Sequence, residues 1–569
     1  MNGTNNNQFS TGVFSTVESS GVGKGGDIEL TSGSLSLANQ AQINSGTFGQ
    51  GDAGNISLNV DNAISLNNSL IRGAVFGGGV GKAGDIDIQT RSLSLTNGAE
   101  IDSVLLRSPN QQLAGARGSG GNIRINASDS LTLSGVSDRG FSSAILTTSD
   151  RGTSGPAGNI IITTDKFAVR DGAIVSALTV NPDNGGNITL NARTFEALNG
   201  GQVTTSTRSS GNAGTIKLNV RDRLTVAGSD PNYTQRIAQV EQRLRQPGET
   251  DQLGDVVINE GAASGILATT AVGSTGNGGS IFIDPRQVII RDGAKISVNS
   301  DGTGDAGNIT LQGGILTLDN KASISAQTAG SQGGNININL QDVLVLRRGS
   351  QISTTAGTAF AGGDGGNITI NAPFIVALPQ DNSDITANAF TGKGGNVNIR
   401  AQGVFGIEAR SQPTPQSDIT ASSQFGISGQ VIINTPNVDP TQGLVELPTG
   451  ITDVSRLIDN SCVAIAPKNG SEFIVTGRGG LPPSPDDFLS GDVVWSDTRA
   501  IPKARFANAT TAQQHPAKAP IASSPSKPKA VEIIPATGWV FNDKGEVTLI
   551  SSAPNASNSG FAPPNCSQR

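Results

Sequence analysis

The sequence has 569 residues, of which 75 are glycine, 15% are charged and 4% are aromatic, with a formal net charge of -7. This composition excludes a basic nucleic-acid-binding domain, and it lacks the many large aromatic side chains usual in a compact globular enzyme of this size. No window approaches 18 consecutive apolar residues, so we expect no transmembrane segment. The first twelve residues, MNGTNNNQFSTG, contain neither a basic nor an apolar region, so we expect no signal peptide in this chain.

A short marker, in which glycine is followed by a polar residue and then by isoleucine or valine, recurs thirteen times between residues 26 and 431. Successive markers lie 28, 30, 37, 37, 28, 28, 65, 28, 27, 32, 29 and 34 residues apart. The shortest spacings, of about 28 residues, accommodate three short strands and three turns, which is one coil of a parallel β-solenoid. The longer spacings predict loops added to single coils, and the 65-residue spacing predicts an insertion.

Each position of the marker has a physical reason. The glycine permits positive φ and close approach of the backbone at a corner, and the isoleucine begins a strand whose alternate side chains enter the core. The middle residue is asparagine in eight of the thirteen units. Asparagines stacked one coil apart, at about 4.8 Å, can hydrogen-bond to one another as in cross-β assemblies. The predicted structural ladder comprises Asn55, Asn122, Asn159, Asn187, Asn308, Asn335, Asn367 and Asn396.

In the second half of each unit, apolar residues occupy alternate positions of a short strand. A turn follows, and the unit then continues with alanine, any residue and isoleucine. Residues 305–332 show the full pattern, with Leu316, Leu318, Ala322 and Ile324. An antiparallel sandwich also has regularly spaced turns, but it would not repeat one three-strand unit thirteen times. We therefore predict an all-β fold, a single-stranded parallel β-helix of thirteen or more coils.

The chain divides into four predicted regions. The β-helix repeats occupy residues 1–436, and the segment at 437–501 is expected to cap them. Residues 502–536 form a linker rich in Pro, Ala and Ser. Residues 537–569 contain two short strand-like runs around a polar turn, which predicts a β-hairpin and a tail.

The insertion at residues 229–257 contains the single segment with helical periodicity. Ile237, Val240 and Leu244 share one face of a predicted helix over residues 232–246. We expect this helix to lie on the side of the rod. The chain begins in mid-coil with no visible polar cap, so we also expect a fragment or a truncated product.

Few residues suit catalysis or metal binding. The sole histidine, His515, lies in the linker, and most aspartates are single residues at corners. The main enzymatic alternative is a polysaccharide lyase or hydrolase, because parallel β-helices also carry those activities, but such sites need clustered carboxylates. Arg-Asp-Gly recurs at equivalent positions around Asp171 and Asp292, which indicates turn chemistry. We therefore predict no catalytic residue, no cofactor and no metal site, and we predict that the protein is not an enzyme.

Two cysteines, Cys462 and Cys566, lie outside the repeats. An even count in a secreted protein allows a disulfide between them but does not establish one. The pair is a candidate disulfide across the linker.

As an array, the coils resemble the filamentous-haemagglutinin-like exoproteins of two-partner secretion, and most of all the cyanobacterial set of S-layer-family or haemagglutination-activity-domain type. The likeness covers about residues 10–435. The tail is more specific, with Asn460-Ser461-Cys462 and the run GRGGLPPSP at residues 477–485. The resemblance implies a right-handed β-helix, export through an outer-membrane partner barrel, and display or release outside the cell. The secretion domain that the partner recognises in that family has no counterpart here.

The resemblance favours an extracellular or cell-surface adhesin-like protein whose rod attaches to glycans, cells or surfaces. A passive stalk or surface-layer component is the alternative, and a polysaccharide-active enzyme is the third hypothesis. We expect no nucleic-acid partner. The loops at residues 105–118 and 136–157 and the inserted helix are candidates for partner contact, because they break the repeat.

Overall fold

The computed structural model describes residues 1–3, 11–108, 114–244, 259–436, 538–541 and 547–550 of the chain. Contacts within the chain divide it into two units, Met1–Leu447 and Pro448–Arg569. The described part of the larger unit consists almost entirely of β-strands, and the described part of the smaller unit is one pair of strands.

The first sheet, sheet 1, contains 16 strands. Most are 11 or 12 residues long, because the first two runs predicted for each coil continue into one another. A register shift marks the bend between the two runs, for example between Gly313 and Ile315. The strands of sheet 1 are Ile28–Ala38, Ile56–Asn67, Ile86–Thr96, Ile123–Ser134, Ile160–Arg170, Ile188–Leu198, Ile216–Ala227, Ile281–Ile283, Gln287–Arg291, Ile309–Asp319, Ile336–Leu346, Ile368–Asn371, Phe374–Val376, Val397–Arg400, Gly403–Phe405 and Val431–Asn434.

The second sheet, sheet 2, contains 14 strands formed mainly by the third run of each coil. Its later strands are only two or three residues long, since the chain turns again directly after them. The strands of sheet 2 are Gly12–Val17, Gln42–Thr47, Leu70–Val75, Glu100–Leu105, Ala144–Leu146, Ile174–Ser176, Gln202–Thr204, Gly265–Leu267, Lys295–Ser297, Ser323–Ser325, Gln351–Ser353, Asp384–Thr386, Glu408–Ala409 and Asp418–Thr420.

Short elements complete the coils of the larger unit. Val80–Lys82 pairs in parallel with Arg117–Ser119, and a 3₁₀ turn spans Pro379–Asp381. After sheet 2, one residue per coil pairs with its counterpart in the next coil. This row of single bridges joins Ser149, Thr179, Thr207, Thr270, Ser300, Thr328, Ala356, Ala389 and Ser423.

Strands pair with the equivalent strand of the next coil, in parallel and in register. Ile309 lies opposite Ile336, which lies opposite Ile368 on its other side. The thirteen successive strands along the main path of sheet 1 give a solenoid of about thirteen coils. The predicted parallel β-helix with a short helical insertion is confirmed.

One apolar core runs through the stacked coils. The marker isoleucines Ile309, Ile336 and Ile368 are fully buried, and Phe167 and Phe195 pack in adjacent coils with ring centroids 5.5 Å apart. Burying one such side chain contributes roughly 1.5–3 kcal/mol. Because each coil buries its core residues against its two neighbours, stability depends on stacking.

The marker glycines are required by close approach between coils. A Cβ on Gly334 would overlap the carbonyl oxygen of Gly307 in the preceding coil. Positive φ falls at a different corner, where Asp171 and Asp292 have φ of 56° and 58°. Gly307 and Gly334 do not have positive φ, so the prediction of positive φ is wrong for these two marker glycines. Asp171 and Asp292 are turn residues, as their repeated Arg-Asp-Gly context indicates.

The insertion contains a helix over Tyr233–Leu244, inside the predicted range 232–246. Val240 is buried, Ile237 is half-buried, and Arg236 is also buried although the periodicity does not assign it to the apolar face. Among the described residues, no helix is long and apolar enough to cross a membrane.

The smaller unit contains Gly538–Phe541 and Val547–Ile550, which pair antiparallel with Trp539 opposite Leu549. The predicted cap at 437–501, the linker at 502–536, and both Cys462 and Cys566 lie outside the described residues.

Candidate functional site

The marker asparagines stack along one corner of the solenoid. Where two asparagines follow each other in successive coils, the side-chain oxygen of the first accepts two hydrogen bonds from the second, one from its backbone N–H and one from its side-chain amide. Asn335 shows this, with N and Nδ2 both 3.0 Å from Oδ1 of Asn308. All eight marker asparagines accept or donate such bonds: Asn55, Asn122, Asn159, Asn187, Asn308, Asn335, Asn367 and Asn396.

A second ladder lies three residues before the middle residue of the marker and was not expected from the sequence. Asn277 donates its N–H to Oδ1 of Asn212, and Asp305 donates its N–H to Oδ1 of Asn277, both at 2.9 Å. This ladder continues through the two successive coils in which Thr215 and Ser280 stand in the marker position without an amide side chain. The two ladders together hold successive corners in register across the insertion.

Aspartate replaces asparagine at the first marker corner. Asp27 Oδ1 accepts the N–H of Asn55 at 2.7 Å, and this bond holds the pKa of the Asp27 carboxyl below its ordinary value. The ladder groups donate and accept hydrogen bonds, but amides supply neither a nucleophile nor a general base. The ladders therefore position the coils and offer a regular polar edge.

A groove runs along the outer face of sheet 2. Side chains two residues apart on a straight strand lie roughly 6.6 Å apart. Here Thr204 Oγ1 and Ser206 Oγ are 2.8 Å apart, and Ser353 Oγ and Thr355 Oγ1 are 3.1 Å apart. The chain is therefore concave on this face, and the repetition of the bend from coil to coil forms a longitudinal groove.

Three outward positions of each coil line the groove, and we name them the first wall, the floor and the second wall. The residues between them, such as Ile296 and Val298, point into the core. From residue 202 onward, the first wall consists of Gln202, Gly265, Lys295, Ser323, Gln351, Asp384 and Asp418. The floor consists of Thr204, Leu267, Ser297, Ser325, Ser353, Thr386 and Thr420. The second wall consists of Ser206, Thr269, Asn299, Gln327, Thr355, Asn388 and Ser422.

In the first half of the solenoid the same groove is filled with apolar side chains. Phe141 from an extra loop and Val240 from the inserted helix complete this filling, and they are 6% and 0% exposed. The apolar cluster, which is separate from the main core, consists of Ala74, Phe76, Val104, Leu106, Phe141, Ala144, Leu146, Ile174, Leu178, Val180 and Val240. The loop and the helix are therefore a cover over this filled half.

Arg236 fastens the helix over the filled half. Its guanidinium donates to the carbonyl oxygen of Gly140 at 3.0 Å, to Oδ2 of Asp230 at 3.0 Å and to Oδ1 of Asn259 at 2.7 Å. Tyr233 Oη donates to the carbonyl oxygen of Asn259 at 3.1 Å. The inserted helix and the loop around Gly140, both candidates for partner contact, thus use their inner sides to bind one another and the groove.

The floor of the filled half contains a buried ion pair. Arg72 Nε lies 2.8 Å from Oδ1 of Asp102, and Nη2 lies 2.6 Å from Oδ2. The Asp102 side chain is completely buried, and Glu100 Oε2 lies 3.5 Å from the same Nη2. Burial raises the pKa of the Asp102 carboxyl, and the Arg72 guanidinium opposes that rise.

From residue 204 onward the groove is open and lined by polar side chains. Ser206 Oγ and Thr269 Oγ1 donate to Oε2 of Glu260, at 2.7 and 3.1 Å. A pocket of about 310 Å³ opens at this point, with Lys295 among its lining residues. Gly265, which precedes Lys295 in the first wall, has no side chain to narrow it.

The floor of the open half is a network of hydroxyl groups. Ser353 Oγ accepts from Gln327 Nε2 at 2.7 Å and from Thr386 Oγ1 at 2.8 Å. One coil pair earlier, Ser325 Oγ donates to Ser297 Oγ at 3.2 Å. These hydroxyls are buried and bond sideways, so they fix the walls and close the base of the groove.

Three phenylalanines form a row along the rim of the second wall, with neighbouring rings packed edge to face. The ring centroid of Phe390, two residues beyond Asn388, lies 5.4 Å from that of Phe360 and 5.1 Å from that of Phe425. Phe360 is 80% exposed and Phe425 is 69% exposed. Phe390 between them is half-buried. This row of rings, one per coil, offers an apolar binding surface beside the polar groove.

Two carboxylates occupy successive coils of the first wall. Asp384 Oδ1 accepts the N–H of Asp418 at 2.9 Å, and the buried Asp418 carboxylate bonds to Arg410 and Thr414. Burial raises the pKa of the Asp384 carboxyl. Over the described ranges, no three His, Cys, Asp or Glu side chains are grouped so that they could hold a metal ion.

No protein-family model matches the chain, and no curated protein matches it. Among solved structures, the chain is similar to the crystal structure of the HMW1 secretion domain from Haemophilus influenzae, at 12% sequence identity. The likeness covers 72% of this chain and 92% of that chain, with a TM-score of 0.25. A TM-score at this level does not establish a common architecture.

Proposed function

We propose that the protein is an adhesin-like structural protein, outside the cell or at its surface, that presents a β-helical rod for multivalent attachment to glycans, cells or other surfaces. The observation that carries the proposal is the repetition of the same polar group at the same position of successive coils, as at Asn335, Asn367 and Asn396. Weak contacts repeated along one rigid body reinforce each other through effective concentration. A regular polar rod is therefore suited to attachment.

The proposal includes export through an outer-membrane partner barrel. It is supported by the resemblance of the Gly-Asn-Ile coils and of residues 460–462 and 477–485 to exoproteins of two-partner secretion. Each coil contacts mainly its neighbours, so a solenoid can fold progressively as the chain emerges. Cys462 and Cys566 would then reach an oxidising environment, where a disulfide persists; their pairing stays a prediction.

The proposal assigns no catalysis, no cofactor and no nucleic-acid partner. The Asp418 carboxylate is engaged by Arg410 and Thr414, so it does not stand beside Asp384 as a second unengaged carboxyl group. Glycoside hydrolysis generally uses two carboxyl groups in distinct roles. The net charge of -7 gives no basic footprint for nucleic acid.

The test is attachment of the purified chain, immobilised at increasing density, to cells and to a glycan array, with the heat-unfolded chain as control. We expect binding by the folded protein that rises more steeply than surface density, because attachment is multivalent. Absence of binding to both cells and glycans would overturn the adhesin assignment in favour of a passive stalk. Shortening of a polysaccharide in the same incubations would overturn the non-enzymatic assignment.

A further inference from the structure

We propose that the open half of the groove on sheet 2 binds a linear, uncharged polysaccharide that lies along the solenoid axis. The site extends from Glu260 to the row of Phe360, Phe390 and Phe425. This inference rests on the proposed function and adds to it the ligand class and the binding surface.

The walls of the open half hold donors that the protein itself does not use. Across the described residues, the Lys295 ammonium and the Gln351 amide make no hydrogen bond or ion pair. Asn299 and Asn388 each accept a backbone N–H of the next coil at 2.8 Å through Oδ1, which leaves their Nδ2 groups free to donate. Lys295 and Gln351 lie two coils apart in the first wall, and Asn299 and Asn388 lie three coils apart in the second. At a coil spacing of about 4.8 Å, which is close to the length of one sugar unit in an extended chain, these separations correspond to about two and about three sugar units.

The closed floor determines how a ligand lies in the groove. Ser325 and Ser353 are 8% and 0% exposed, and their hydroxyls bond to neighbouring side chains. A ligand therefore contacts the walls and does not insert deeply, except at the pocket of about 310 Å³ beside Glu260, which can accept a single ring. This shape favours an extended polymer over a compact small molecule.

The charges along the groove favour an uncharged polymer. Carboxylates slightly outnumber cations, and Arg410 is already paired with the Asp418 carboxylate, so a polyanion gains no net attraction along the walls. The charged side chains lining the open half are Glu260, Asp301, Asp384, Asp418, Arg208, Lys295 and Arg410.

The phenylalanine row adds the second kind of contact that sugars need. A sugar ring presents hydroxyls at its edge and an apolar face of C–H groups. A chain whose edge hydroxyls bond to Asn388 turns a ring face towards Phe390, two residues further along. Aromatic rings supply large apolar contact area at such surfaces.

The experiment is affinity electrophoresis of the full chain in gels that contain mannan, dextran or arabinoxylan, with polygalacturonate as the charged comparison. Ser323→Trp fills the groove from the first wall and removes no hydrogen bond of the described structure, and Thr310→Trp places the same bulk on the outer face of sheet 1 in the same coil. We expect at least one uncharged polymer to retard the parent and Thr310→Trp equally. We expect Ser323→Trp to bind it about tenfold more weakly, which corresponds to about 1.4 kcal/mol.

A second matched pair tests the aromatic rim. Phe390→Ser removes the middle ring of the row, whereas Phe405→Ser removes a ring that is 54% exposed on sheet 1. We expect the first variant to weaken binding about threefold and the second to leave it unchanged.

The outcomes separate this inference from the proposed function. If the parent attaches to cells or arrayed glycans but Ser323→Trp and Thr310→Trp bind the polymers equally, the groove assignment is wrong and the adhesin proposal stands. Retardation by polygalacturonate alone also overturns the groove assignment. A parent that binds no polymer, cell or glycan overturns both. If Ser323→Trp does not fold, the double variant Lys295→Ala, Gln351→Ala removes donors without adding bulk, and unchanged retardation of that variant contradicts the site.

Discussion

The two halves of the groove on sheet 2 share one backbone path but differ in what their outward side chains require. Ile174 and Leu178 in the filled half need the cover formed by the loop around Gly140 and the helix Tyr233–Leu244. Lys295 and Asn299, at the equivalent wall positions of the open half, need none. The inward residues set the coil, and two or three outward positions set the surface, so a solenoid can alternate structural and binding surfaces without changing its core.

The two halves of the groove also differ in the interactions that stabilise their outward side chains. Burial of apolar surface contributes roughly 25 cal/mol per Å², and the filled half adds a buried ion pair, Arg72 with Asp102. The open half relies on hydroxyl pairs such as Ser353 with Thr386, each with a net contribution of roughly 0.5–1.5 kcal/mol. Substitutions should therefore be more damaging in the filled half, and most damaging in the frame that both halves share.

The largest effect is expected for Gly334→Ala in the shared frame. The new Cβ would overlap the carbonyl oxygen of Gly307, and neither backbone can move without unstacking the coils. We expect a loss of about 4 kcal/mol or more in the free energy of unfolding, measured by chemical denaturation. Gly33→Ala is the matched control, because nothing lies within 4 Å of its added Cβ. Equal losses in both variants would show that close approach does not fix the coil spacing.

The next largest effect is expected for Arg72→Met in the filled half. The substitution leaves the Asp102 carboxylate buried without its cation, which costs about 3–5 kcal/mol. Because this further raises the pKa of Asp102, the loss should shrink as the pH falls towards that pKa. The measurement is the free energy of unfolding against pH.

The control for this ion pair is the double variant Arg72→Met, Asp102→Leu. Replacing both charges by apolar groups leaves no buried charge unpaired, so we expect stability close to that of the parent. A double variant as unstable as the single one would mean that packing around Arg72, and not its charge, holds the floor.

A smaller and more local effect is expected for Arg236→Met. The variant leaves Asp230, Asn259 and the carbonyl oxygen of Gly140 without their shared donor. We expect the cover to open with a local loss of about 3 kcal/mol, seen as faster amide exchange in residues 233–244 and 135–143. Gln242→Met on the exposed side of the helix should leave exchange unchanged. Uniformly faster exchange along the whole solenoid would contradict a separate cover.

The fold could be predicted from the sequence because period, core and corners repeat in the residues themselves. Ile309, Ile336 and Ile368 stand at the marker spacing, and thirteen repeats of that unit favour parallel stacking, which their pairing shows. The contacts of the marker asparagines follow from the same spacing. The second ladder carries the same signal at Asn212 and Asn277, but without the structure its corner could not be distinguished from an ordinary turn.

The groove could not be predicted in the same way. Ser297, Ser325 and Ser353 repeat in the sequence, yet their burial depends on a concave bend that periodicity does not reveal. The cover depends on contacts between distant segments, because Phe141 and Val240 meet only when the coils have stacked. Helical periodicity found the inserted helix, but it gave no reason for burying a charged residue within it.

Ser353→Ala in the open half should have a modest effect. The substitution removes only the hydroxyl that accepts bonds from Gln327 and Thr386, with an expected loss of about 1–2 kcal/mol. Thermal unfolding measures it, and Ser210→Ala at an exposed corner is the control for the change in side-chain type. A loss as large as that of Arg72→Met would end the distinction between the two halves.

The smallest effect, and the one with the most specific sign, is expected for Asp384→Asn in the open half. Burial raises the pKa of the Asp384 carboxyl, so the folded state binds this proton more tightly than the unfolded state. Its contribution to stability is present below the unfolded pKa of about 3.9 and is lost as the pH rises through the folded pKa. The amide keeps an oxygen for the N–H of Asp418 and carries no charge. The variant should therefore melt higher than the parent near neutral pH, and this advantage should disappear in acid.

Asp27→Asn gives the opposite sign and completes the comparison. The N–H of Asn55 lowers the pKa of Asp27, so its contribution is present above about pH 3.9 and is lost as the pH falls through the folded pKa. Asparagine can accept the same N–H at every pH, so this variant should lose less stability than the parent on acidification. Melting temperatures between about pH 3 and pH 8 decide the point. If acidification changes the melting temperature of both variants, relative to the parent, in the same direction, the Asp384 carboxyl is as well solvated as that of the corner residue Asp27. Burial on the groove wall would then not distinguish the two aspartates.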